Sequence, residues 1–439
     1  MSFSLSLQIN DLQCRSLIWA PHAGRVDDFL RCYPHQRPVG RPQPSLYTQN
    51  QARYLLDHIY RLSFYTMSLL SRNFLITIIL VMILSMLFIG LYPFNYFPTN
   101  SASINDIGKS LNFSGRGIAY ARSNRGWSSK DPITLEIAFT PARTHTRGIP
   151  HILSLCDQSG REVMYLGQWS NSLILRLMEG NRRIEKVKNE IGIGDVLKPG
   201  EQVFITLAFN SGTVNIYSNG KLALKQLNFD FAGATKEHPI RSLVLGNSSA
   251  GDSSWRGEFS AFTVWNATTN SSAIRDRFEK WTISKVSDID GALISYNFED
   301  GGSKTISNET GGSWELLIPE NLTPLKRKFL ELPSKRYLFK RSFYEDAAIN
   351  LIGFMPLGLA LSIFFVGDQR KRITWEKNFL PVIAGGLLSL FIEVNQAFLV
   401  TRTSSVTDFI LNSVGAGIAV GAYLMWNRIG LTMLVIRGG

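Results

Sequence analysis

Seven side chains near the C-terminal end have the types and spacing to do chemistry in an apolar setting. Asp346 and Asn350 open EDAAINLIGFMPLGLALSIFFV, Glu393 and Gln396 lie late in FLPVIAGGLLSLFIEVNQAFLV, and Asp408 and Asn412 open DFILNSVGAGIAVGAYLMW. Arg402 stands between the last two segments. The pairs are spaced i,i+4, i,i+3 and i,i+4, so on a helix each pair shares one face. In three antiparallel helices all three pairs arrive at one side of a membrane. Ionisable groups inside apolar spans are costly, face a bundle interior and mark functional sites. The competing role is helix-to-helix glue, with the carboxylates satisfied by Asn, Gln and Arg neighbours. Glu393, Asp346 and Asp408 could exchange protons with a bound group or hydrogen-bond a headgroup, and Arg402 could hold an anion through paired N–H bonds. No His, Cys nucleophile or metal set accompanies them, so the sequence leaves open whether a bound molecule would be turned over.

These residues need helices to carry them. Phe74–Leu91 is an apolar run without a charge, long enough to cross a bilayer. A signal peptide is the competing reading, but no small-x-small cleavage site follows, only Gly-Leu-Tyr-Pro-Phe. Tyr92, Phe94, Tyr96 and Phe97 then mark an interface. The basic loop GDQRKRITWEKN belongs in the cytoplasm, and Arg72, Arg428 and Arg437 agree with four spans and both ends inside. The polar pairs and the loop VTRTSSVTD fall at the outer face, with Glu393 roughly 10 Å below the outer end of its helix. Gly353, Gly358, Gly385, Gly386, Gly415, Gly417 and Gly421 suit close helix approach.

Between residues 105 and 300 the period changes to two. ITLEIAF, HILSLCD, EVMYLGQW, SLILRLME, VFITLAF, TVNIYSNGKLALKQ and FSAFTVWNA alternate apolar and polar residues between turn-formers, which predicts one antiparallel jelly-roll sandwich. Asn219-Gly220 predicts a tight hairpin. Trp127, Trp169 and Trp255 are candidate sugar-stacking platforms, and Trp265, in AFTVW, reads as core. Glu136 stands alone in its strand and reads as solvated; without a second strand carboxylate, glycan hydrolysis is not expected here. Asp252 or Asp300 beside Gly turns could hold Ca²⁺, though turn chemistry explains both, and no other metal or cofactor is expected.

The C-terminal stretch resembles the VanZ-like family of small bacterial membrane proteins. The resemblance rests on Asp346, Asn350, the FMPLG of Phe354–Gly358, the SLFIEVNQ of Ser389–Gln396, and Arg402, Ser404, Asp408, Asn412 and Gly415. Residues 67–99, with Tyr92-Pro93-Phe94, match that family's first span, and a long insert departs from its compact pattern. The insert resembles laminin-G-like and concanavalin-A-like sandwiches in ITLEIAFTP, FITLAFNSGTVNIYSNGKLALKQ, the stretch SLVLGNSSAGDSSWRGEFSAFTVW and ISYNFEDGG. That resemblance implies binding of glycans, proteins or lipids; the VanZ-like one implies a link to low-level glycopeptide (antibiotic) resistance.

The remaining parts are connectors. Residues 1–66 read as a disordered basic tail or a mis-assigned start, with Met67 opening a normal membrane-protein beginning. Residues 322–344, with seven basic residues against Glu331, read as an interfacial link on anionic headgroups, each cation contributing on the order of 1 kcal/mol; a solvated linker is the alternative. Residues 345–427 hold the last three spans. The net charge of +12 is explained by membrane flanks rather than nucleic acid. Of three cysteines, only Cys156 lies in the sandwich and reads as a buried apolar residue.

The expectation is therefore multidomain: an all-β jelly roll inserted into a four-span α-helical bundle of a bacterial inner membrane, jelly roll on the extracytoplasmic side. Its expected partners are membrane lipids and an envelope glycan or lipid-linked saccharide. The alternatives are a membrane enzyme acting on a lipid-linked headgroup and a passive surface adhesion protein.

Overall fold

A computed structural model describes residues 72–105, 109–127, 132–144, 148–181, 184–267, 269–285, 289–298, 304–333, 338–366 and 375–438. The expected tail over 1–66, Asp300, Lys335 and Arg336, and most of the expected cytoplasmic loop lie outside these residues.

Two antiparallel sheets make the sandwich. One runs in the order β1 (Ala102–Asn105), β2 (Ser110–Phe113), β13 (Gly257–Trp265), β4 (Ile133–Pro141), β9 (Val203–Asn210), β10 (Thr213–Ser218) and β11 (Lys221–Leu227), with β14 (Ala292–Asn297) beside β13. The other runs β15 (Thr305–Ile306), β16 (Leu316–Leu317), β3 (Ala119–Trp127), β12 (Ile240–Leu245), β5 (His151–Cys156), β6 (Glu162–Trp169), β7 (Ser172–Asn181) and β8 (Ile184–Ile193). The β10–β11 hairpin closes from Ser218 to Lys221 with Asn219 and Gly220 both at positive φ, which the Asn-Gly pair accommodates. Strands thus continue to Leu317, past the expected boundary at 300.

The alternation seen in the sequence holds at β10 but not at the sheet centres, where β4, β5, β6 and β9 are buried almost throughout. Both outer faces are covered in part. Helix α3 (Ser271–Ser284), after α2 (Phe231–Glu237) in the chain, lays Ile274 and Trp281 on Ala138, Phe204, Ala208 and Ala261. On the opposite sheet Ile118, Cys156 and Val244 are covered by Leu322, with Leu325 and Val400 packed alongside. Cys156 is a buried thiol outside any disulfide, as expected.

Helices α1 (Arg72–Leu91), α4 (Arg341–Gly353), α5 (Met355–Val366), α6 (Trp375–Gln396) and α7 (Val406–Gly438) build the second part. They supply four segments of 20, 26, 20 and 24 residues, long and apolar enough to cross a membrane. The second is α4 and α5 together, broken at Phe354, where Pro356 has no N–H to continue the ladder. Leu84, Phe88, Leu387, Phe391, Ile418 and Met425 are exposed, an apolar surface suited to acyl chains rather than water. A Cβ on Gly358 would lie 2.6 Å from the Ala416 carbonyl oxygen, and one on Gly415 would strike the Leu351 carbonyl. Gly353, Gly417 and Gly421 have open space and serve no such approach.

The link was expected to lie on lipid, yet its first half is docked on protein. Leu322 and Lys326 are buried, and the Leu325 and Lys326 amides donate to the Ser249 carbonyl at 2.8 and 3.1 Å. Lys328 pairs with Asp252 at 2.6 Å. The Glu331 amide then donates to the Ser404 carbonyl (2.9 Å), and the Val406 amide to the Glu331 carbonyl (3.2 Å). These backbone bonds outweigh the basic composition, which alone suggested an interfacial segment. Phe329, Leu332 and Phe339 keep exposed rings or chains.

Candidate functional site at the sandwich-facing end of the bundle

The chain turns from α6 to α7 beneath the link, and the acids gather there. Glu393, 2 % exposed, accepts from the Ser405 amide at 2.7 Å and from the Ser404 side chain. Ser405 sits just before α7, so its amide is an orphan donor at the positive end of that helix, a natural place for a carboxylate. The Asp408 amide donates to the Ser405 hydroxyl (3.3 Å), and Asn350 hydrogen-bonds the Asp408 side chain. Asp346 and Asp408 line one recess of about 20 Å³ with Pro333, Phe343, Ser405 and Thr407. That volume holds about one water. Asp346 is the exposed member of the group.

The other three expected residues turn elsewhere. Asn412 donates to the Ser389 hydroxyl at 2.9 Å, one turn deeper, and its own carbonyl oxygen has no partner among the described residues. Gln396 donates to the Gly90 carbonyl (2.9 Å). Arg402 donates to the Tyr92 and Ile89 carbonyls at 3.0 and 3.3 Å, closing the C-terminal end of α1, so among the described residues its guanidinium meets carbonyls rather than a carboxylate of the cluster. Helix-to-helix glue thus describes Asn412 and Gln396, while Glu393, Asp408, Asp346 and Asn350 form the polar cluster. Sequence reasoning passed over Ser405, although Ser405-Val406-Thr407-Asp408 carries the Ser-x-x-acid signature of a helix start.

In the sandwich, burial removes two of the three tryptophan platforms. Trp255 is fully buried among Phe113, Phe139 and Phe259, its indole N–H donating to Gln168 Oε1 at 2.8 Å. Trp127 is buried edge-on to Phe231. Neither has a free face for a sugar. Trp169 is 54 % exposed and keeps one. Trp265 is core, with the Arg277 guanidinium 4.2 Å from its ring centre. Glu136 is not solvated: it is buried and accepts from Arg277 Nε at 2.9 Å. The Asp252 carboxylate, a weak Ca²⁺ candidate, accepts from Ser248 and Ser253 as well as Lys328.

One set that no motif announced is His151, Ser154 and Glu162. Both the Ser154 hydroxyl (3.0 Å) and Glu162 Oε1 (3.2 Å) meet the same ring nitrogen, Nδ1. A nucleophilic triad places hydroxyl and acid on opposite nitrogens, so this set orders the loop after β12. Burial alone would raise the Glu162 pKa, but His151 and the Ser249 amide outweigh it and hold the carboxyl below its ordinary range.

Residues 292–427 match the family model VanZ/LLP1, from β14 through the last three spans; α1 lies outside the matched residues. No curated protein matches the sequence. Among solved structures, a candidate carbohydrate binding protein from Bacteroides ovatus is 12 % identical with a TM-score of 0.34, covering 50 % of this chain and 58 % of that one. The binding domain of Paraclostridial Mosquitocidal Protein 1 is 13 % identical with a TM-score of 0.33, covering 42 % and 47 %. A heptameric SAP-like pentraxin from Limulus polyphemus is 17 % identical with a TM-score of 0.26, covering 36 % and 81 %. The chain thus spans about half the length of the first two.

Proposed function

We propose that this chain is a multi-pass protein of a bacterial inner membrane that binds an amphipathic envelope ligand where its bundle meets an extracytoplasmic, glycan-binding sandwich. The observation supporting this is the gathering of Glu393, Asp346, Asp408 and Asn350 at the one end of the bundle that carries the sandwich. Asp346 gives the cluster its accessible edge, and Trp169 offers a sugar face. A lipid-linked wall or surface-polymer precursor has both an acyl-like anchor and a saccharide, so it suits the two parts at once. Retaining such a precursor is also the simplest route from this protein to glycopeptide resistance.

The test uses the full chain in nanodiscs of zwitterionic lipid with a labelled lipid-linked saccharide. Saturable retention without release of the headgroup, weakened in Asp346→Ala, is the expected result. Release of the labelled headgroup would instead make the protein an enzyme, and absence of retention would leave a passive anchor.

A further inference from the structure

A second recess, of about 490 Å³, lies between sandwich and bundle, apart from the acid cluster. Its size is in the range of small-molecule sites. Three segments of the chain aim cations at it: Arg116, Arg143 and Arg256 from sandwich loops, Lys326 to Lys328 from the link, and Arg402 from the α6–α7 turn. Asp252 is the single carboxylate in the lining. Four of these cations are engaged. Lys328 meets Asp252, Lys326 lies 4.0 Å from Glu331, Arg327 lies 4.2 Å from the Phe398 ring centre, and Arg402 closes α1. Arg116, Arg143 and Arg256 have no carboxylate partner among the described residues. Cations crowded around a low-dielectric cleft repel one another and concentrate anions there.

The position of the recess selects the kind of anion. Tyr96 and Phe97, which follow α1, and Phe398 to Thr403, which follow α6, line it beside the ends of two candidate spans. Phe97 is 81 % exposed and Tyr92 58 % exposed, as in the aromatic belt at a membrane interface. The recess is therefore level with lipid headgroups rather than out in solvent. Three uncommitted guanidiniums exceed what a singly charged headgroup needs, and each can grip a phosphate through two parallel bonds.

We propose that this recess binds the phosphomonoester or diphosphate headgroup of a lipid whose chain stays in the bilayer beside α1 and α6. This rests on the reading that the chain holds an amphipathic ligand, and it names the ligand's charged part and its seat. Lys328 and Asp252 fix the wall, Arg116, Arg143 and Arg256 grip the anion, and the acid cluster, none of whose residues lines the recess, stays clear of it.

The test measures binding of a polyprenyl diphosphate to full-length protein in zwitterionic nanodiscs, with phosphatidylglycerol as the singly charged comparison. Soluble inorganic diphosphate serves as competitor. The double variant Arg143→Gln/Arg256→Gln changes exposed or half-exposed side chains, and its fold is checked by circular dichroism; Arg116→Gln gives a second, independent reading. The expected result is saturable binding of the diphosphate lipid, weakened at least about tenfold in the double variant, with inorganic diphosphate competing only weakly. Equal binding of phosphatidylglycerol, tight binding of inorganic diphosphate alone, or an unchanged affinity in both variants would overturn the assignment. Retention of a lipid-linked saccharide that is indifferent to these arginines would overturn the recess while leaving the proposed function standing.

Discussion

Glu136 and Arg277 form a buried ion pair in the sandwich. The carboxylate is 4 % exposed and its guanidinium partner arrives from α3, with Arg277 also lying on the Trp265 ring. Arg277→Ala takes the guanidinium away from a buried carboxylate, which costs up to roughly 3–5 kcal/mol, whereas an apolar pair of similar volume, Glu136→Leu with Arg277→Met, should be close to neutral. Denaturant midpoints followed by tryptophan fluorescence would separate the two; a loss under about 1 kcal/mol for Arg277→Ala would mean that water reaches the acid. The same residues show where a sequence stops being legible. Glu136 looks like a lone solvated acid because its partner lies 141 positions away. Trp255 sits in a polar, turn-rich stretch, and nothing local says that its ring enters the core and that Gln168 receives its N–H. By contrast, Glu393 and Asp408 stood out because an acid inside an apolar run is itself the signal, independent of any partner.

At the scale of elements, the acid cluster exists because α4 and α7 come close enough for Asp346, Asn350 and Asp408 to meet. Gly415 permits that approach, since a side chain there would strike the Leu351 carbonyl of α4. Gly415→Leu should push the helices apart, lowering the thermal midpoint in detergent by an amount matching a loss of about 1–3 kcal/mol or more. Gly421→Leu, on the same helix but facing open space, should leave the midpoint where it was. An equal drop in the two would show that the loss does not come from the contact with the Leu351 carbonyl. Strands, hairpin and spans were readable from period, turn chemistry and length. The break at Phe354 was foreshadowed only by Pro356. The docking of the link was not readable, because the Ser249 and Ser404 carbonyls that hold it carry no sequence signature.

At the scale of the whole molecule, the joint between sandwich and bundle combines an apolar contact, the backbone bonds to the Ser249 and Ser404 carbonyls, and one ion pair that acts as a clamp. Leu322, Leu325 and Val400 cover Ile118, Cys156 and Val244, and Lys328 locks the link to Asp252. Burial would raise the Asp252 pKa, but Lys328 and the Ser248 hydroxyl outweigh it and hold it below 3.8. Burial would lower the Lys328 pKa, but Asp252 outweighs it and holds it above 10.5. The depressed acid contributes stability that is present above 3.8 and lost as pH falls through its lower folded value. The raised base contributes stability that is complete below 10.5 and lost as pH rises through its higher folded value. The clamp is therefore constant through the neutral range and opens in acid, and Glu162, also depressed, loses its hold on the neighbouring loop as pH falls through its own lowered value. Spin labels at Lys198 of the sandwich and Val414 of the bundle, in protein with its native cysteines replaced, should hold one distance through the neutral range and broaden only once pH falls below the ordinary carboxylate range. Lys328→Ala should broaden that distance already at neutral pH, and with it loosen the wall of the basic recess. A distance that stays sharp in acid and in Lys328→Ala would mean that the apolar contact and the backbone bonds to Ser249 and Ser404 hold the joint unaided, and the recess would then keep its shape without the clamp.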